Sequence, residues 1–312
     1  MKKKLIVVMA LILVLMTGCT KTMVGEDKKR IENTTTGQAL TSNIICRPES
    51  ESLYNQYLQN EKYMEIKLEE LPKCSEMKVY ESSSYNGLWV AIFVRPLAWL
   101  IIQLGKMMGP WGYGISVMLV GLLIRIVLLP FTIKTTKQQK NMQKLQPEMA
   151  KIEAKYSGRT DQESMMMKSQ ETMALYQKYK VNPLSSCLIT FIQMPLFFAF
   201  LEAINRVPAI FENDLWIFQL GTTPLYGIKN GNYWYIILIV LILLFTFLTF
   251  KNSMSSMSGN SEQQKQTKYM MMFMVVFIGI ASVQLPSAIA LYWIVTNAFA
   301  VVQTLIMKKA GK

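Results

Sequence analysis

At 312 residues the chain is long enough for two soluble domains, but 51% hydrophobic content, gathered in long blocks, argues against that arrangement. There is no histidine, which removes the usual general base and the commonest metal ligand, and the four cysteines include no CxxC pair. With no nucleophile–base pair visible, neither enzyme, metal site nor cofactor is expected, and the net charge of +13 must be explained by where it falls along the chain.

Lys2, Lys3 and Lys4 precede an apolar run from Leu5 to Met16, followed by Thr17, Gly18 and Cys19. A basic start, a short apolar run and a small-residue exit describe an export signal, since a span needs about 20 apolar residues. Ending in Gly-Cys, residues 1–18 look like a bacterial lipoprotein signal, with Cys19 as the lipidated (palmitate-bearing) residue; an uncleaved anchor is the alternative. Residues 19–86 then begin outside the cell. They carry nine Lys/Arg and eleven Asp/Glu. Residues 22–43 are rich in Thr, Ser, Asn and charge, and read as a flexible tether. Cys46 and Cys74 would share an oxidising compartment, where a disulfide and two free thiols are both open.

The next apolar stretch, 87–112, contains Arg95-Pro96. Proline interrupts a helix, and a central arginine costs ~2.5–3.5 kcal/mol to insert. It reads as an amphipathic helix in the outer interface, with Trp89 and Trp99 at headgroup depth. Five spans follow, at 113–131, 184–204, 233–250, 270–285 and 288–307. Starting outside, they leave 132–183, 251–269 and the tail 308–312 in the cytoplasm, with 205–232 as an outer loop. The three cytoplasmic segments hold ten, three and three Lys/Arg against five, one and no acidic residues, whereas the outer loop holds two of each. This agrees with the positive-inside rule, so most of the charge marks the cytoplasmic face. Counting 87–104 as a span would invert every loop.

Residues 132–183 exceed a simple connector. Met142, Leu145, Met149 and Ile152 recur at helical spacing, with Pro147 expected to kink the arm or restart it. A turn at 157–161 ends in Asp161, a plausible N-cap, and a second arm carries Met165, Met166, Met173, Leu175, Tyr176 and Tyr179. The pattern predicts an antiparallel helical hairpin.

The most informative residue is Arg125, inside the first span. It lies nine residues before Lys134, about 13 Å from the cytoplasmic end. The span interiors contain no Asp or Glu, and Glu202, about 30 Å from that face, stands too far away. Gln193 and Asn297 lie at similar depth, about 16 Å inside, and Thr190, Ser186, Thr296 and Gln303 lie nearer the cytoplasm. These residues imply a hydrophilic groove open to the cytoplasm and closed outwards by apolar helix halves. The competing reading is a snorkelling Arg125 that fixes orientation alone. A groove open on one side suits the polar segment of a membrane protein in transit.

Several motifs then resemble one family: Gly121-Leu-Leu-Ile-Arg-Ile-Val-Leu-Leu-Pro130, Met142-Gln-Lys-Leu-Gln-Pro-Glu148, Leu175-Tyr-Gln-Lys-Tyr179 and Asn182-Pro-Leu184 with Cys187. Gln193-Met-Pro195, Leu285-Pro286, Leu291-Tyr-Trp293, Asn297 and Gln303 complete the set. Their order and spacing are similar to the YidC family of membrane protein insertases, in its five-span lipoprotein form, over roughly 85–307. The resemblance implies a groove arginine at Arg125 with Trp293 among the groove residues, and substrate contact along 184–204 and 270–285. Nascent membrane proteins would be the clients, with the Sec translocon and ribosome as associates and no specific nucleic acid. Thr246 and Thr249 stand where the family often has a groove-facing glutamine. The expected fold is therefore all-α and polytopic, with five transmembrane helices around the groove, a cytoplasmic hairpin and an outer interfacial helix. A small-solute transporter is the rival from another class; it would predict paired intramembrane charges and internal repeats, and no repeat is found.

Overall fold

The computed structural model describes residues 20–79, 87–159, 161–179, 184–254 and 262–309. The expected signal 1–18 and Cys19 lie outside the described residues. The described chain is mostly helical and divides into two compact units. The first comprises residues to Ile124, Met194–Ile242 and Ile280–Thr296; the second comprises Arg125–Gln193, Leu243–Gly279 and Asn297–Lys312.

In the first unit, residues 20–79 correct the expectation of a flexible tether. Met23, Leu40, Ile44, Leu53, Tyr57, Leu68 and Leu71 form a buried cluster, around which helix α1 (Glu51–Gln59) and several single-turn helices are arranged. Cys46 and Cys74 are joined by a disulfide. The polar residues that suggested disorder instead make turns. The Asn33 side-chain oxygen accepts from the backbone N–H and the hydroxyl of Thr35, at 2.9 and 2.7 Å, as in an Asx turn. Antiparallel bridges such as Glu32 with Ala39 close the loops between such turns.

This lobe is docked on the loop at 205–232. The Glu212 carboxylate accepts from the N–H groups of Glu49 and Ser50 and from the Ser50 hydroxyl, all at 2.9 Å. Tyr226 donates its hydroxyl to Thr34 O at 2.6 Å, against Gly37, whose φ of +69 suits glycine.

A π-helical turn, Val90–Val94, leads into α2 (Arg95–Met107). Pro96 sits in the first turn of the α-helical part, where its missing N–H costs nothing, so the helical path is not broken there. Gly109, at φ +75, turns the chain into α3 (Gly112–Val127), and Gly112 lies so near the carbonyl of Gly105 that no side chain fits. Within the expected first span, 113–131, α3 ends at Val127. Pro130 lies in the first turn of a new helix, α4 (Leu129–Lys155), which runs unbroken through Pro147 instead of restarting there. One lost backbone bond is tolerated because Leu145, Met149 and Ile152, on either side of Pro147, pack against the partner arm.

That partner, α5 (Gln162–Lys178), opens with Asp161, whose carboxylate accepts from Ser164 N at 2.8 Å as an N-cap. The remaining elements are α6 (Leu184–Asn205), a single turn α7 (Pro208–Phe211), and a hairpin of β1 (Asp214–Leu215) with β2 (Phe218–Gln219). Then come α8 (Pro224–Lys229), α9 (Tyr235–Met254), α10 (Glu262–Ser282) and α11 (Ser287–Lys309). In the first unit, Phe200 of α6 stacks on Tyr292 of α11 at 4.3 Å, and Gly121 of α3 allows Tyr292 to approach closer than a Cβ would permit.

Among the described residues three helices are long and apolar enough to cross a membrane: Val90–Met107, Gly109–Val127 and Ser287–Met307. Shorter apolar stretches occupy Pro195–Asn205, Tyr235–Lys251 and Met271–Ser282. Val90–Met107 thus has the dimensions of a span, with Arg95 buried in the protein. Large apolar side chains stay exposed along single helix faces, for example Met272, Phe273, Val276 and Phe277 on α10. Such stripes suit lipid and are unfavourable in water.

Candidate functional site

The second unit collects most of the polar residues picked out within the apolar helices: Arg125, Gln193, Asn297 and Gln303, with Thr190 on the same stretch of α6. Arg125, Gln193 and Asn297 each stand at the end of a chain segment belonging to this unit, where α3, α6 and α11 pass into it. Leu-rich sequence on α3 makes the helix by hydropathy alone, and Arg125 falls in its last turn, where a cation also favours the helix dipole.

The side chains of Arg125 and Gln193 are half-buried and adjacent. With the Gln193 amide oxygen turned to the guanidinium, it accepts from the two Nη groups at 2.9 and 3.1 Å. That orientation is chemically required, because the opposite one would set N–H against N–H. Gln303 Nε2 donates to Thr132 Oγ1 at 2.8 Å, a pairing between α11 and α4. Thr132 was not singled out from the sequence, since a threonine just past an apolar run has no distinctive local signal. Asn297 is half-buried.

Trp293 falls in the first unit, where its ring stacks on Phe197 at 6.2 Å with the planes 9° apart. Thr296, also in the first unit, is buried and donates to the Tyr292 carbonyl at 2.8 Å, so its hydroxyl is spent within its own helix.

Glu202 is engaged elsewhere. Its carboxylate lies 3.1 Å from Arg206 Nη2, one turn on, and accepts from Trp89 Nε1 at 3.1 Å. All three are buried. The i, i+4 spacing of Glu202 and Arg206 was a readable signal for the ion pair; the tryptophan, 113 residues away, had none.

The hairpin of α4 and α5 closes on Leu145 and Leu175, with Met149, Ile152, Tyr176 and Tyr179 around them. Its rim is ionic. Glu148 accepts from the Tyr179 hydroxyl and pairs with Lys178 at 3.5 Å; Glu171 pairs with Lys155 at 2.5 Å and accepts from the Tyr156 hydroxyl at 2.9 Å. The Tyr179 hydrogen bond, helped by Lys178, holds Glu148 below the ordinary glutamate range; Lys155 first and then Tyr156 do the same for Glu171. Met165, Met166 and Met173 stay exposed on α5 and take no part in the closure. Among the described residues no group of His, Cys, Asp and Glu could hold a metal.

Comparison with known proteins gives a consistent set. The sequence profile described as 60Kd inner membrane protein matches residues 103–312. The protein named membrane protein insertase YidC from Oceanobacillus iheyensis is 38% identical over 239 residues, covering 77% of this chain and 91% of the relative. Membrane protein insertase MisCA from Bacillus subtilis is 38% identical over 238 residues, 76% of this chain and 86% of the relative. Membrane protein insertase YidC 2 from Bacillus anthracis is 38% identical over 235 residues, 75% and 87% respectively.

Proposed function

The chain belongs to the 60Kd inner membrane protein family, and on that premise we propose that it is a membrane protein insertase, without a covalent catalytic step, whose polar receiving site is built on Arg125. The observation that carries this reading is the guanidinium of Arg125 held by the Gln193 amide within apolar helices. A cation kept inside a membrane helix is costly, and such residues face protein or water far more often than acyl chains. Polar or acidic segments of a nascent membrane protein would lose less hydration energy beside Arg125 than in lipid, while the apolar part of the same client partitions into the bilayer. Gln193, Asn297, Thr190 and Gln303 supply neutral hydrogen-bonding groups, and Trp293 an aromatic surface.

The positive-inside distribution supports a topology with five spans, residues 20–86 and 205–232 outside, the hairpin 132–183 inside, and 87–112 lying in the outer interface. The signal pattern supports lipidation at Cys19. Residues 134–181 present a basic, Met-bearing hairpin to the cytoplasm, suited to ribosome-bound clients; a Sec translocon would be a lateral partner in the same membrane.

A charge series tests the site. Arg125→Glu should lower insertion of clients with acidic outer tails by about tenfold, the equivalent of 1.4 kcal/mol, with Arg125→Lys close to wild type. The measurement is protease protection of the client tail in membrane vesicles. Equal insertion by all three forms would leave Arg125 as an orientation signal.

A further inference from the structure

Between α7 and α8 the chain forms a hairpin so short that Trp216 and Ile217 alone make its turn, with Leu215 paired to Phe218 and Asp214 to Gln219. Trp216 takes φ +57, a left-handed conformation that a bulky residue adopts at a cost and that glycine normally fills at the first position of such turns. Its side chain is nevertheless 76% exposed. A residue that strains the backbone and buries little does not serve folding, so its benefit has to come from what it meets outside the chain.

The base of the hairpin is firmly placed. Leu215 lies so close to Gly114 that a Cβ there would come within 2.8 Å of it. The Tyr235 hydroxyl accepts from Gln219 N at 3.0 Å, and Phe218 meets the Tyr235 ring edge-on at 5.5 Å. Gly114 is in the first turn of α3 and Tyr235 opens α9, so the hairpin stands at the ends of two apolar helices. Trp216 meets Trp111 edge to face at 6.3 Å, and Trp111 directly precedes α3. Ile217, Tyr233 and Trp234 are also exposed.

We propose that the hairpin 214–219 is a lipid-interface anchor, in which the strained turn holds the Trp216 ring among the headgroups, beside Trp111, and sets the depth of the α3 and α9 ends. Indole rings suit that zone because their bodies are apolar and their N–H groups find headgroup or water acceptors. Lipid suits the exposed Trp216 and Trp111 rings because they stand where the apolar helices α3 and α9 begin. The proposal rests on the reading that α3 and α9 cross the bilayer.

The test uses the full chain in phosphatidylcholine–phosphatidylglycerol vesicles, comparing wild type with Trp216→Phe. The emission lost in the variant should be blue-shifted and should be quenched by lipids brominated near the headgroup end of their acyl chains, as for a belt tryptophan. Emission that acrylamide quenches as readily as free indole, and that bromine leaves untouched, would overturn the anchor and leave a water-facing or protein-facing surface. Trp216→Asn, whose side chain tolerates this φ, provides a second variant should the phenylalanine form fold poorly; it should keep the helical circular dichroism and lose the same emission. Carbonate extraction reads the underlying premise separately. Protein released by carbonate would contradict the spans, whereas retained protein with a wet Trp216 would contradict the anchor alone.

Discussion

Two arginines next to one helix are handled in opposite ways by the two units. In the first unit, Arg206 is 1% exposed and faces a carboxylate, Glu202, which also accepts from Trp89. In the second, Arg125 is half-buried and faces the neutral amide of Gln193, nine residues before Glu202 on α6. A closed pair of opposite charges holds structure together and offers little to a visitor. On the proposed reading, Arg125 serves to attract an acidic group of a client. On that reading the contrast separates a structural arginine from one that receives a client, and it can be tested from both sides.

The largest effect should come from breaking the closed pair. Glu202→Ala leaves a buried guanidinium and an indole N–H without their acceptor, and should destabilise the protein by about 3–5 kcal/mol. Gln193→Ala should cost about 1 kcal/mol or less, the net worth of a typical hydrogen bond, while changing insertion more than stability. Thermal unfolding of the purified protein in detergent distinguishes them; similar losses for both variants would remove the distinction. The Arg125 charge series then sharpens the other side, since a functional arginine should show its effect on client insertion and not on the melting temperature.

An effect smaller than that of Glu202→Ala is expected where the second unit is held by a small apolar contact. Leu145→Ala removes half of the buried pair that closes the α4–α5 hairpin and should cost about 2–3 kcal/mol locally. Hydrogen exchange of residues 140–178 should accelerate while that of residues 20–79 is unchanged.

The smallest effect is electrostatic. Glu148 and Glu171 have carboxyls held below their ordinary range in the folded hairpin, so the stabilisation is present above the unfolded pKa of about 4.3 and fades as pH falls through the lower folded values. Hairpin exchange should therefore be flat from neutral pH down to the glutamate range and rise below it. Both carboxylates lie at the surface, so the change should be modest and salt-sensitive.

Much of this molecule is determined within short stretches of sequence. Apolar blocks long enough to be membrane helices, an excess of Lys/Arg over Asp/Glu in alternate loops, and the Asp161 cap ahead of the second hairpin arm all depend on residues a few positions apart, whose hydration and hydrogen bonding are decided locally. The same local logic placed Arg125 and Gln193 at comparable depth. It could not select Gln193 as the partner of Arg125, join Gln303 to Thr132, or send the Glu202 carboxylate to Trp89. It also mistook residues 22–43 for a tether, because their Thr, Ser and Asn residues resemble a solvated coil until Met23 and Leu40 are buried against Ile44, Leu53 and Tyr57. Those outcomes required tertiary structure. A residue's contribution to burial depends on neighbours separated by tens to hundreds of positions, as where Glu212 receives the backbone of Glu49 and Ser50, and only the folded chain brings such groups within hydrogen-bonding distance.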